Sequence, residues 1–195
     1  MRTDTMAARG QATYEDLLRV PDTKVAELVA GELHVSPRPA TPHAFAASEL
    51  TAVLHSSHHG VEAPLGPGGW WILAEPELHF DADVVVPDLA GWRHDRMPAV
   101  PNVAAITLAP DWLCEITSPS SARWDRIVKL PVYARVGVAW VWLVDPLART
   151  LECFHLRDGA WTVHASHADD EVARVAPFAA TELRLSRWWL PAGPR

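Results

Sequence analysis

The chain has 195 residues, with 17 Lys and Arg against 24 Asp and Glu, so its formal charge is −7. That length suits one domain able to bury a core without disulfide or metal staples. A composition of 49% hydrophobic and 21% charged residues excludes wholesale disorder, and the acidic balance excludes a protein that coats DNA through a strongly basic face, while leaving room for a local basic patch.

Residues 1–12 carry no period and read as a tail, residues 13–190 as a single domain, and residues 191–195 as a second tail. The first residues lack the apolar run of a secretory leader, and no run approaches the roughly 20 apolar residues that span a bilayer. The expectation is a cytoplasmic protein without membrane contact. Thr13 to Asp16 followed by Leu17-Leu18 predicts an N-capped short helix. Val25–Val29 and Leu33–Ser36 predict a hairpin around Ala30-Gly31. Thr41-Pro42 reads as an N-cap with proline at the first helical position, opening a helix to about His58 whose stripe is Ala46, Leu50, Val53 and Leu54. Strands are expected at 70–74, 77–80 and 84–86, with Pro87 ending the ladder. Residues 93–109 read as a long loop of the functional or mobile kind. A short strand at 111–116 leads through a serine-rich turn to a helix over 123–136, kinked or started late by Pro131. The apolar run 139–144 predicts a strand buried on both faces, followed by strands at 151–156, 161–164 and 172–175. This order gives an α+β fold, a mixed α/β arrangement with one sheet.

Ten histidines and two cysteines, Cys114 and Cys153, show no zinc or disulfide spacing. The carboxylates are more informative. Asp88 follows Pro87 directly after an apolar strand, and Glu115 sits inside a strand between Cys114 and Ile116. A carboxylate there is costly to bury unless it is paired or binds a cation. Lys129 lies on the next helix among apolar residues. Two acids at strand ends with a nearby lysine suit Mg²⁺, which takes oxygen ligands and typically one or two carboxylates. The same residues also suit a purely structural arrangement, in which Glu115 pairs with Lys129 and Asp88 caps a turn.

The segments Glu27 to Leu33, Val86-Pro87-Asp88-Leu89, Cys114 to Ser120, Asp125 to Leu130, and Tyr133 to Pro146 follow one another in an order and spacing that resembles the Uma2 (DUF820) family of the PD-(D/E)xK, restriction-endonuclease-like superfamily. The resemblance implies a mixed central sheet flanked by helices, with added hairpins, carrying an acidic metal site. Asp88 falls at the PD aspartate and Glu115 at the (D/E) position. Thr117 stands where the in-strand lysine would be, and Lys129 on the following helix replaces it. Glu32 matches an acidic residue of the first hairpin, and His43 a histidine at the start of the next helix. The chain departs from the family in Ala26 and in Ala30-Gly31 at the hairpin, and in Ile127-Val128 where a glycine is usual.

The resemblance implies a Mg²⁺- or Mn²⁺-dependent endonuclease acting on DNA. Asp88 and Glu115 would hold the metal, Lys129 and Glu32 would complete the catalytic set, and His43, Arg123 and Arg126 would contact substrate, with Arg135 as a further phosphate contact. The alternative is an inactive interaction module of the same fold that binds nucleic acid or protein. Trp124, Trp188 and Trp189 exceed what one helix and one tail readily bury, which suggests a homodimer.

Overall fold

A reciprocal cap starts the first helix of the computed structural model, which describes residues 11–191. The Thr13 hydroxyl accepts the Asp16 N–H, and the Asp16 carboxylate accepts the Thr13 N–H, opening α1 (Tyr14–Leu18). Of the tails expected at 1–12 and 191–195, residues 1–10 and 192–195 lie outside the described residues; Ala12 belongs to the fold, since its N–H donates to the Gly31 carbonyl at 2.8 Å. The hairpin of β1 (Lys24–Val29) and β2 (Glu32–Pro37) turns at Ala30-Gly31, both at positive φ (52° and 76°). That turn twists with the strands, but it strains an alanine. The Asp83 carboxylate holds it by accepting the Ala30 N–H at 2.7 Å. Helix α2 (Thr41–His58) starts one residue earlier than its proline suggests. Ala40 is the cap, and Thr41 and Pro42 are the first two helical positions. Ala46, Leu50 and Leu54 form its buried stripe.

The remaining strands are β3 (Trp70–Ala74), β4 (Leu78–Phe80), β5 (Asp83–Val85), β6 (Leu89–Arg93), β7 (Trp112–Ile116), β8 (Trp140–Asp145), β9 (Thr150–Arg157) and β10 (Ala160–Ala168), with a small ribbon of β11 (Val172–Ala173) and β12 (Leu183–Arg184). The single sheet expected from the sequence is corrected to two sheets and that ribbon. One sheet has the order β2-β1-β5-β4 and the other β10-β9-β8-β7-β6-β3. The second is mixed because β7 and β8 run parallel while its other neighbours are antiparallel. Pro87 does end the β5 ladder, but the chain crosses there into the second sheet and begins β6, a strand the sequence reading missed. Asp88 sits at that crossing.

The crossover from β7 to β8 is a helix interrupted in the middle: α3 (Ala122–Trp124), a π-helical turn (Asp125–Lys129) and α4 (Leu130–Arg135). Pro131 has no N–H for the Ile127 carbonyl, and its ring would clash with that carbonyl in a regular helix. The chain widens instead, so that the Leu130 N–H donates to Asp125 O. Both Asp125 and Lys129 are buried as a result.

The six-stranded sheet separates two cores. On one face α2 and the C-terminal segment cover Trp70, Trp112, Trp142 and Phe178. Gly91 allows this packing, because a Cβ there would lie 3.1 Å from the Trp112 ring and 3.3 Å from that of Trp70. Trp188 and Trp189 are buried in this core and Trp124 is half-buried, so the tryptophan content no longer argues for a dimer. On the other face lie Val85, Trp92, Leu113, Tyr133, Val141 and Leu143. The long loop after β6 closes this second core: Met97 and Ile106 are buried, and Ile106 exchanges backbone hydrogen bonds with Glu77 and His79. Among the described residues no helix is long and apolar enough to cross a membrane.

Candidate active site

Between the two sheets, at the C-terminal end of β7, lies a cleft of about 330 Å³. The carboxylates in its walls are Glu27, Glu75, Asp88, Glu115 and Asp125; its cations are Lys129 and Arg38, with His43 beside Asp88. Strand ends and sheet crossings are where side chains from different elements can meet around a ligand; Asp88 and Glu115 come from such positions, Glu27 from within β1, and Lys129, Asp125 and His43 from helices.

Asp88 is fixed by two contacts. One carboxylate oxygen accepts the Ile116 N–H at 2.6 Å, capping the end of β7, and the other lies 2.7 Å from His43 Nε2. Burial alone would lower the His43 pKa, but the hydrogen bond and charge of Asp88 outweigh it and raise it above its ordinary value. Glu115 is 3% exposed on β7. Lys129 Nζ lies 2.8 Å from one of its oxygens and 2.9 Å from the other, and the Tyr133 hydroxyl donates to it. Lys129 also reaches Glu27 Oε1 at 2.8 Å and the Val86 carbonyl at 3.3 Å. The three ammonium protons are therefore committed to Glu27, Glu115 and Val86 O. Glu27 in turn accepts from the Val86 N–H and the Trp124 indole N–H, each at 2.9 Å.

Burial pushes the Glu115 carboxyl well above its usual range, against the pull of Lys129, and Asp125, Asp88 and Glu27 add to the rise. Burial would lower the Lys129 ammonium, but Glu115 and Glu27 overcome it, so the lysine stays charged. Asp125 is raised to about 6, mainly by burial, with Lys129 and the Ser121 hydroxyl opposing. The cleft's carboxyl groups outnumber its basic side chains, and burial and crowding among them hold Glu115 and Asp125 toward the protonated form.

Of the residues expected from the sequence, the fold brings Asp88, Glu115, Lys129 and His43 together. Glu32 is not among them. It pairs with Val29 at the turn end of the hairpin and is exposed, whereas Glu27, on the same face but one strand repeat of about 6.6 Å nearer the cleft, takes the place expected for it. Arg123 and Arg126 are outside the cleft walls: Arg123 is exposed on α3, and Arg126 pairs with Glu152 on β9. Arg135 pairs with Asp83. The π-helical turn explains the difference on the helix, because it directs Asp125 and Lys129 inward and leaves Arg126 outside. Glu27, Asp125 and Tyr133 were missed as site residues. Their signal was present, since Glu27 interrupts an apolar strand and Asp125 precedes Lys129 by one helical turn. The Glu115–Lys129 salt bridge of the structural alternative exists in the same cleft, while Asp88 caps the end of β7 rather than a turn.

The donor set fits a hard divalent cation by chemistry, because Asp88 and Glu115 are oxygen donors in a cleft where acids outnumber bases, and a cation there would favour their ionised forms. Among the described residues no three His, Cys, Asp or Glu side chains form a ready-made metal cage. Mg²⁺ keeps several waters and commonly takes one or two carboxylates, so two acids suffice for it.

The fold is thus α+β, a mixed sheet whose parallel β7–β8 pair is joined by the interrupted helix, with the acidic cleft at the C-terminal end of β7. The chain belongs to the Uma2 family: the family model, described as "Putative restriction endonuclease", matches residues 12–187. The fold is similar to that of a crystal structure described as "a putative nuclease belonging to DUF820" from Anabaena variabilis ATCC 29413. That likeness has a TM-score of 0.70 at 24% sequence identity and covers 91% of this chain and 99% of the other. No curated protein matches the chain.

Proposed function

We propose that this chain is a divalent-metal-dependent endonuclease that hydrolyses phosphodiester bonds of DNA, with Asp88 and Glu115 as the residues that would hold Mg²⁺ or Mn²⁺. The observation that carries this reading is the convergence of Asp88, Glu115 and Lys129 from three separated segments on one cleft in which acids outnumber bases. A bound ion would supply Lewis-acid activation of water and neutralise charge developing on the phosphate.

The chain's own residues do the rest. The Ile116 N–H and His43 fix the orientation of Asp88. Lys129 and Tyr133 fix Glu115, and Lys129 holds Glu27 with it. Lys129 is therefore a positioning residue first, and it reaches a phosphate only by releasing the 3.3 Å contact to Val86 O. Asp125, ionised above about pH 6 in the same cleft, is suited to accept the proton of the attacking water at its carboxylate.

The test is calorimetric titration of Mg²⁺ and Mn²⁺ together with cleavage assays on duplex, branched and single-stranded DNA. Asp88→Asn and Glu115→Gln should lose both metal binding and cleavage while remaining folded. Unchanged metal affinity in both variants refutes the reading. The full commitment of the Lys129 protons favours a second reading, an inactive module that uses the cleft to bind nucleic acid or protein. Wild-type protein that binds DNA but cuts none of these substrates with either metal would establish it.

A further inference from the structure

The acidic cleft has one feature that the catalytic set does not use. Asp88, His43, Arg38 and Glu75 line not only the 330 Å³ hollow but also a second one of about 350 Å³ beside it. Of the cations in these walls, Lys129 is buried with all its protons taken, and His43 is paired with Asp88. Arg38 is different. It extends from the loop between β2 and α2 with its side chain 55% exposed, and its contact with Glu75 is long, 3.4 Å from Nη1 to the carboxylate. Its other polar contact is from Nη2 to the Asp22 carbonyl at 3.0 Å. A guanidinium has five N–H donors, so most of them remain free. Glu75 is held in position by a turn that its own residue type disfavours, with φ at 46° immediately before Pro76, and by its N–H donating to the Asp88 carbonyl at 3.0 Å.

A nucleic-acid strand bound for cleavage at Asp88 and Glu115 brings further phosphates into walls that are otherwise acidic. We propose that Arg38 is the phosphate clamp of this cleft. In the free protein it is parked on Glu75, and on binding it exchanges that carboxylate for a backbone phosphate next to the scissile one, in the space shared by the two hollows. The exchange is inexpensive because a half-exposed ion pair of this length is weak, while arginine–phosphate contacts are charge-assisted and bidentate. Arg38 thereby replaces Arg123 and Arg126 as the substrate-contacting arginine. The proposal rests on the phosphodiester reading of the cleft for its ligand, but it does not require that the strand be cut.

The experiment measures fluorescence anisotropy of a labelled DNA oligonucleotide with wild type, Arg38→Ala, Arg38→Lys and Glu75→Gln, in Ca²⁺ and over a range of salt, with melting curves as the folding control. Loss of one charge-assisted contact predicts roughly ten-fold or more weaker binding by Arg38→Ala, and a slope of log affinity against log salt that is shallower by about 0.7 to 0.9. Arg38→Lys should recover the slope but not the full affinity. Glu75→Gln removes the competitor and should tighten binding by about two- to five-fold. Parallel cleavage in Mg²⁺ separates the two claims. Arg38-dependent binding without cleavage by the wild type keeps the clamp and removes the nuclease. Cleavage with wild-type affinity and salt slope in Arg38→Ala keeps the nuclease and overturns the clamp, as does absence of DNA binding by the wild type.

Discussion

The two faces of β7 treat the same five residues in opposite ways. Trp112, Cys114 and Ile116 enter a core of tryptophans, phenylalanine and aliphatics, whereas Leu113 is followed on the other face by Glu115, buried with Lys129 and Tyr133. Both residues are buried, Trp112 at 0% and Glu115 at 3% exposed, although Glu115 lies in the cleft wall. On the first face burial itself is stabilising and the shapes need only fit. On the second, burial opposes the charge, and what holds is the set of partners that share it.

The largest test of this contrast is Lys129→Met, which keeps most of the apolar stem and removes the ammonium. It leaves Glu27 and Glu115 facing each other without a counter-charge and should lower stability by about 3–5 kcal/mol in chemical denaturation. Adding Glu115→Gln to it should restore part of the loss, because the orphaned charge goes with it. A double variant no more stable than Lys129→Met would mean that the lysine acts through packing alone.

The next concerns pH. A folded-state pKa of about 6 for Asp125, against an ordinary value of 3.8, means that the native protein binds more protons than the unfolded chain between those values. Stability linked to this group is therefore highest near pH 4 and falls as pH rises through 6, by about 3 kcal/mol at 1.36 kcal/mol per pH unit. Glu115 and His43, also raised, act in the same direction. Asp125→Asn in EDTA should accordingly gain stability over wild type at pH 7.5 but not at pH 4. Mg²⁺ should narrow that gap at pH 7.5, because a cation in the cleft favours the ionised acid. A difference between the two proteins that does not vary with pH would show that Asp125 titrates alike in the folded and unfolded states.

The smallest test lies on the apolar face. The Trp142 indole N–H donates to the Ala176 carbonyl at 2.8 Å, while the Trp112 indole N–H has no partner among the described residues. Trp142→Phe should thus cost about 1 kcal/mol more than Trp112→Phe, measured by thermal melting, and neither should alter metal binding. Equal losses would mean that ring volume alone matters on this face.

Much of this molecule is legible without its structure. The Thr13–Asp16 cap, the Ala30-Gly31 hairpin, the stripe of α2 and the buried strand β8 all follow from local signals that act within a few residues. So does the oddity of Glu115 among apolar neighbours. Periodicity tells which face a residue occupies but not what lies across from it. Glu27 and Glu32 share a face of the hairpin, and only the docking of that hairpin against β5 and the crossover helix selects Glu27. Pro87 signals the end of a ladder, but only the arrangement of two sheets reveals that another begins at Leu89 and that Asp88 stands between them. Pro131 signals a disturbed helix, but the wide turn that draws Asp125 and Lys129 inward and leaves Arg126 on Glu152 depends on what the helix packs against. The sequence by itself determined most of the elements, β6 excepted, and the presence of ill-placed charges, because propensity and amphipathic period are local. The tertiary structure alone decided which charges meet, because the groups around Lys129 lie up to about a hundred residues apart and long-range pairing leaves no periodic trace.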